Sequence, residues 1–348
     1  MTRRHPWRWV ASVVAVLFLG WALFVPTNQY IEQPGDATAL APLVKVSRHP
    51  DQAKGHYYLM TVGIVGPATP AMLAWSYIRP FTDRISASDL MGDASTAEYD
   101  NLQHFYITSA ANAAIVSAFN AAKKPVTIKH NGIYVMSVLK NSPFAGVLKV
   151  GDTITAIDGE HYNAADAFVA AIKAKKVGTS VTVTYERDGK SKEATGKLIR
   201  LPGTTKVGIG ITLTENTSVT STPSVKIDAG KIGGPSAGLM FALETYDVVS
   251  GNNVRAGREV AGTGEINTEG EVGQIGGIDK KVYAANRQEA TIFFAPDQPA
   301  TAAIKKLDPT YENNYTVAKR AAKQLKSKMK IVPVKTLQDA IDYLQRTK

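Results

Sequence analysis

The sequence predicts an α+β protein in which one membrane-spanning helix precedes two globular units. Three observations predict it. Residues Trp9 to Val25, WVASVVAVLFLGWALFV, form seventeen consecutive residues without a charge. From about Val126 to Pro202 the chain reads as short strands with one helix. Beyond about Val207 helical and strand patterns alternate to the end, the texture of a mixed α/β unit.

The apolar run comes first. As a helix at about 1.5 Å per residue it spans roughly 26 Å, enough for a hydrocarbon core with tryptophans at its edges. Arg3, Arg4 and Arg8 precede it, and the first charges after it are Glu32 and Asp36. The positive-inside rule then leaves the N-terminus in the cytoplasm and places everything after Pro26 outside the cell membrane. A cleaved signal peptide would have a shorter apolar core closely followed by a small-x-small site. The one candidate, Ala37-Thr38-Ala39, stands too far downstream, so a retained single-pass anchor over residues 1–26 is expected.

Residues 27–125 follow. TNQYIEQPGDA reads as a juxtamembrane linker, and GHYYLMTVGIV as a strand. Ala97 to Lys123 carries a helical pattern that stops at the breaker Pro125, and the whole segment is placed as a strand and helix packing on the C-terminal unit. In residues 126–205, NGIYVMSVL is a strand after a glycine turn, and LKVGDTITAIDGEHY a strand pair. NAADAFVAAIKAKK is an amphipathic helix capped by Asn163, and the hairpin VTVTYERDGKSKEATGKL turns at Asp188-Gly189. In residues 206–348, strand-like KVGIGITL and SVKIDAG lead to an apolar helix, a turn-rich segment, and then helices and strands in alternation.

Composition excludes several chemistries. Cysteine is absent, so no disulfide, thiolate metal site or cysteine nucleophile exists. The formal net charge is +10, part of it between Lys319 and Lys330, but AKRAAKQLKSKMK reads as the solvated face of a helix and lacks stacking aromatics. No nucleic-acid partner, no metal and no cofactor is expected. None of the six histidines lies beyond His161, so the C-terminal unit holds neither a Ser-His-Asp triad nor an HExxH zinc site.

Against that background KIGGPSAGLMFALE sets Ser236 between a Gly-Gly-Pro turn and an apolar helix. A serine there can cap the helix or act as a nucleophile beside helix N–H groups. As a nucleophile it needs a base other than histidine, and a lysine of depressed pKa is the usual substitute. IGGIDKKVYAAN offers two in the first turn of a helix that Asp279 can cap. There the macrodipole disfavours a cation. Lys281 shares its face with the small residues Ala284 and Ala285 and points inward, while Lys280 shares its face with Tyr283 and Arg287 and looks outward.

Two resemblances follow from these residues. Residues Val126 to Pro202 resemble a PDZ domain, with Gly132, Ile133, Tyr134 and Val135 at its carboxylate-loop position and Asp152-Thr153-Ile154 after its GD turn. That implies capture of an extended peptide as an added strand. GGPSAG around Ser236, TGEI from Thr263 and GQIGGIDKKVYAAN around Lys281 resemble, in that order, the proteolytic domain of Lon proteases, as does the closing VPVKTLQDAIDYL. This resemblance implies that Ser236 is the nucleophile, Lys281 the general base and Thr263 a hydroxyl orienting the lysine. It places Gly234 and Ala237 at the oxyanion turn. Lon enzymes often carry an acidic residue three positions before the serine, where this chain has Gly233.

The order of anchor, PDZ and Lon-like unit resembles the membrane-anchored PDZ-Lon proteases of Gram-positive bacteria, including those that process secreted peptide pheromones. It implies an ATP-independent serine endopeptidase acting on peptides or unfolded exported proteins, and a homo-oligomer, although no interface is legible. The one GKS, Gly189 to Ser191, lacks the upstream glycine of a phosphate-binding loop. The rival from another class is a catalytically inactive, membrane-anchored PDZ adaptor that binds extracellular peptides.

Overall fold

The computed structural model describes residues 6–348 apart from Asn163 and Asp308. Arg3, Arg4 and the expected cap Asn163 therefore lie outside the described residues. The apolar run forms helix α1, Pro6–Phe24, whose long side chains face outward throughout. It is the one helix among the described residues long and apolar enough to cross a membrane.

Residues 27–125 are an integral part of the C-terminal unit. Strand β1, Gln29–Ala39, occupies the stretch expected to be a linker. A register shift between Pro34 and Ala37 breaks its alternation, which is why it does not read as a strand. It pairs antiparallel with β2, His56–Val65, and, after the short helix α2, Pro70–Ser76, with β3, Asp83–Ser86. Helix α3, Thr96–Ala121, starts at a capping box between Ser95 and Glu98.

The PDZ-like sheet comprises β4, Val126–Val138, β5, Thr153–Ile157, β6, Ser180–Arg187, β7, Lys190–Lys197, and β8, Ile211–Ser221, with helix α4, Ala165–Lys173, on one side. Its order is β8-β4-β5-β6-β7, with Glu160–His161 pairing onto β5. Asp188 and Gly189 both take positive φ, 53° and 70°, and turn the β6–β7 hairpin. Strand β8 corrects the domain boundary expected at residue 205, because it completes this sheet instead of starting the next unit.

The C-terminal unit adds helix α5, Gly238–Ser250, β9, Glu259–Gly262, helix α6, Ile278–Arg287, β10, Ile292–Pro296, helix α7, Asn314–Gln324, β11, Lys330–Val334, and helix α8, Leu337–Arg346. Its sheet runs β11-β10-β9-β2-β1-β3, parallel from β11 to β2 and antiparallel thereafter. Alternation sorts the two faces. Tyr57, Leu59 and Phe294 join Leu239, Leu243 and Ile107 under α3, α5 and α8. Tyr58, Met60 and Phe293 join Ala284, Ala285 and Ala321 under α6 and α7. Helix α3 also lies against the PDZ-like sheet, where Phe105 stacks on Tyr134 with ring centroids 3.7 Å apart and Asn112 Nδ2 donates to Thr217 O at 2.8 Å.

Candidate active site

Ser236 sits in a one-turn 3-10 helix, Pro235–Ala237, that opens directly into α5. Gly234 makes this turn with φ at 86°, a conformation that favours glycine. Its N–H donates to the Gln103 carbonyl of α3 at 2.9 Å, so Gly234 serves the turn and is not positioned as an oxyanion donor. A Cβ on Gly233 would lie 2.7 Å from Gln103 Cβ. The close approach of α3 thus explains why a glycine stands where Lon enzymes often have an acidic residue.

The end of β9 pins the turn from the other side. Gly264 N–H and Thr263 Oγ1 both donate to the Ser236 carbonyl, each at 2.9 Å, and Leu239 N–H donates to Gly264 O at 3.0 Å. Thr263 is buried at the carboxyl end of this central parallel strand.

Lys281 comes from the first turn of α6, whose N-cap is Gly277 with φ at 63°. Asp279 is a first-turn residue and does not cap the helix, because the glycine turn has already brought the chain into it. The Lys281 ammonium nitrogen lies 2.6 Å from Ser236 Oγ and 3.0 Å from Thr263 Oγ1. The residue is only 4% exposed. Burial lowers its pKa to about 7, against the opposing pull of Glu32 and Glu265. The structure thus brings Ser236, Thr263 and Lys281 into one hydrogen-bonded group, with Ala237 beside it at the mouth of α5.

Lys280 departs from expectation. It is 2% exposed, not outward-facing, and its Nζ lies 2.5 Å from Asp83, 3.2 Å from Glu32 and 3.5 Å from Asp279. Strands β1 and β3 cover the outer side of α6 and supply two of these carboxylates. Nothing in the helix pattern of α6 reveals this, because Glu32 and Asp83 are about 250 and 200 residues distant in sequence.

The site opens on a cleft of about 500 Å³ lined among others by Met60, Val62, Tyr99, Gln103, Ile232 and Glu265. Strand β9 pairs with β2 only along His56 to Leu59, so the next residues of β2 run past its end beside Ser236. His56 N–H faces β9, where it donates to Arg258 O, and Tyr57 O faces β1, where it accepts from Leu40 N–H. Alternation from there turns the backbone of Met60, Val62 and Ile64 toward the cleft.

In the PDZ-like unit, Gly132, Ile133, Tyr134 and Val135 are not at a free edge. They lie inside β4, paired on one side with Leu213 to Asn216 of β8 and on the other with residues from Asp152 to Ile154. The edge strand next to β4 is β8, and the other edge strand of the sheet is β7. Between the start of β8 and α4 runs a groove of about 350 Å³ lined among others by Val169, Gly208, Ile209, Gly210, Ile211 and Leu213. Gly208 and Gly210 ahead of an alternating strand are the sequence signal that marks this loop.

Residues 118–198 match the PDZ domain family, and residues 223–345 match the Lon protease (S16) C-terminal proteolytic domain. A Lon protease of Heliobacterium modesticaldum is 38% identical over 93 residues, 26% of this chain and 11% of the relative. A Lon protease of Erwinia amylovora is 42% identical over 65 residues, 19% of this chain and 8% of the relative. The chain thus spans about a tenth of the length of these curated relatives. The solved PDZ domain of an SdrC-like protein from Listeria monocytogenes is 40% identical, covering 25% of this chain and 92% of that one with a TM-score of 0.24. The chain carries a PDZ domain followed by a proteolytic domain of the Lon type.

Proposed function

We propose that the chain is an ATP-independent serine endopeptidase with a Ser236–Lys281 dyad. Helix α1 anchors it in the cell membrane, N-terminus inside, with the catalytic unit facing outward toward extracellular peptides or exported, unfolded proteins. Secreted peptide pheromones are one substrate class of suitable size. The observation that carries the reading is Lys281 Nζ at 2.6 Å from Ser236 Oγ, in a pocket where burial lowers the amine to about 7. A neutral amine at that distance can take the serine proton as Oγ attacks the scissile carbonyl, and return it to the leaving amine. Thr263, bonded to both Lys281 and the Ser236 backbone, orients the lysine. The N–H groups of the Ser236–Ala237 turn, at the positive end of α5, face the developing oxyanion.

The substrate lies extended along β2, pairing with the cleft-facing backbone of Met60 and Val62. The PDZ domain holds a peptide along β8, beside α4, and increases the local concentration of substrate. Peptide cleavage by the full chain in detergent tests the enzyme against the inactive adaptor. Ser236→Ala and Lys281→Ala should each lower turnover by about 10³-fold or more, and their double variant should be little worse, because the two act as a unit. Undiminished cleavage by folded Ser236→Ala excludes this site as the catalytic one.

A further inference from the structure

We infer that the end of helix α2, carrying Trp75, Tyr77 and Ile78, is a second membrane contact that seats the proteolytic unit on the lipid headgroups next to α1. The inference rests on the proposal that α1 spans the membrane.

Exposure is the first observation. Trp75, Tyr77 and Ile78 are 58%, 72% and 70% exposed. Large exposed apolar side chains beyond the α1 run that ends at Val25 stand, among the described residues, apart from one another in the chain, at Ile64, Ile128, Val147 and Val177. Three large exposed apolar side chains within four residues are the kind of group that marks a contact surface.

Chain geometry is the second. Helix α1 has 19 residues and ends at Phe24. At about 1.5 Å per residue it is about 28 Å long, the thickness of the hydrocarbon core, so Phe24 stands at the core boundary. Thr27 follows three residues later and its N–H and Oγ1 both donate to Ala68 O, at 2.9 and 2.6 Å. Three residues reach at most about 11 Å, which keeps Ala68 in or just above a headgroup layer about 6 Å deep. Helix α2 begins two residues after Ala68, and it touches α1. The end of α2 is therefore held within reach of the headgroup layer.

Chemistry is the third. Arg79 lies over the Trp75 ring at 5.6 Å and Arg84 over the Tyr77 ring at 3.9 Å. Arg84 is held there by donating to Ser76 Oγ at 3.2 Å. Aromatic rings with cationic heads beside them fit the headgroup boundary, where the rings meet acyl carbon and the guanidinium groups meet phosphate. The occupant is thus a lipid surface, with anionic lipid favoured.

Trp75 provides the test, because the chain has four tryptophans and the other three, Trp7, Trp9 and Trp21, are in α1. The full chain carrying Trp7→Phe, Trp9→Phe and Trp21→Phe is reconstituted in vesicles of phosphatidylcholine and phosphatidylglycerol in equal parts. Spin-labelled phosphatidylcholine is added, with the label on the headgroup or at the acyl terminus. Trp75 emission should be lost to the headgroup label, more than to the chain-end label, and should recover when Tyr77→Ser and Ile78→Ser are added. Unquenched Trp75 in vesicles where the tryptophans of the unsubstituted chain are quenched overturns the contact and leaves the anchor standing. Unquenched α1 tryptophans overturn the anchor itself, and the contact with it. Crosslinks joining the patches of two chains, with Trp75 unquenched, assign the surface to a second copy instead.

Discussion

Lys280 and Lys281 are adjacent in one helical turn, both nearly inaccessible, and their surroundings shift their pKa values in opposite directions. Burial pushes Lys281 down to about 7 because its nearest polar partners are the two hydroxyls of Ser236 and Thr263. Burial acts on Lys280 as well, but Asp83, Glu32 and Asp279 outweigh it and keep that amine above its ordinary value. Helix rotation of about 100° per residue separates the two environments. One lysine is fixed as a cation that joins α6 to β1 and β3, and its neighbour is free to be a base.

Removing the Lys280 charge has two separable consequences. Lys280→Met leaves the carboxylates of Glu32 and Asp83 without their cation, which should cost about 2 kcal/mol of stability. That lies below the usual cost for a buried pair because the Asp83 side chain is 63% exposed. Glu32 also raises the Lys281 pKa, so the unpaired carboxylate should move the acid limb of the pH–rate profile upward. Lys280→Arg should restore both. Urea denaturation reads the first effect and kcat/KM against pH the second. An unshifted profile in folded Lys280→Met means that Glu32 acts on Lys281 independently of Lys280.

The wild-type profile has its own sign. A lysine base is active when neutral, so activity should be low in acid and rise through a midpoint near 7. A profile flat through neutral pH shows that no group with this pKa controls the reaction.

The same depressed pKa links to stability. The unfolded chain holds the Lys281 proton up to about 10.5, whereas the folded chain releases it near 7. Between those values the unfolded state binds more protons, so this group's contribution makes stability rise with pH from about 7 toward 10.5. Below 7 the penalty for burying the charge is present in full. Lys281→Met removes the group and should be more stable than wild type in mild acid, with the difference shrinking as pH rises. Paired denaturation curves across that range measure it. An equal pH slope in both chains contradicts a buried neutral lysine.

Thr263→Val separates orientation from chemistry. It removes the hydroxyl that meets Lys281 Nζ at 3.0 Å and the Ser236 carbonyl at 2.9 Å, while keeping nearly the same volume. Turnover should fall by roughly 10- to 100-fold, as for a misplaced catalytic group, with the acid midpoint little moved. A loss as large as that of Lys281→Ala makes the hydroxyl essential to the chemistry.

The sequence made the site legible where local pattern and chemistry coincide, and not where the tertiary fold decides. Ser236, Thr263 and Lys281 are each set on a glycine-marked turn next to a regular element, and no histidine competes for the role of base. The strand at His56–Val65 reads directly from its apolar run. Strand β1 did not, because Pro34 and Gly35 carry a bulge that looks like a turn. The pairing of Lys280 was hidden for a different reason, since Glu32 and Asp83 meet it only once β1 and β3 have joined the sheet. Gln103 was equally silent, because the hydrogen bond it makes with the nucleophile loop is accepted by its backbone carbonyl, which any residue supplies.

The peptide groove supplies the last prediction, and it distinguishes two strands. Gly132 to Val135 sit inside β4 with both edges paired, so a peptide cannot add there without opening the sheet. The start of β8 has an open edge facing α4, and Val169 is partly buried in the groove between them. Val169→Asp puts a charge on the apolar wall and should weaken capture of an extended peptide by 10-fold or so, through lost apolar contact and the desolvation of a carboxylate. The dyad lies outside this groove, so cleavage of a short peptide that does not reach the PDZ domain should be unchanged. Fluorescence anisotropy of a labelled peptide measures capture, and parallel cleavage of long and short substrates shows whether capture is used. Equal loss on both substrates in folded Val169→Asp means that the PDZ domain supports the protease structurally, and unchanged anisotropy excludes this groove as the binding edge.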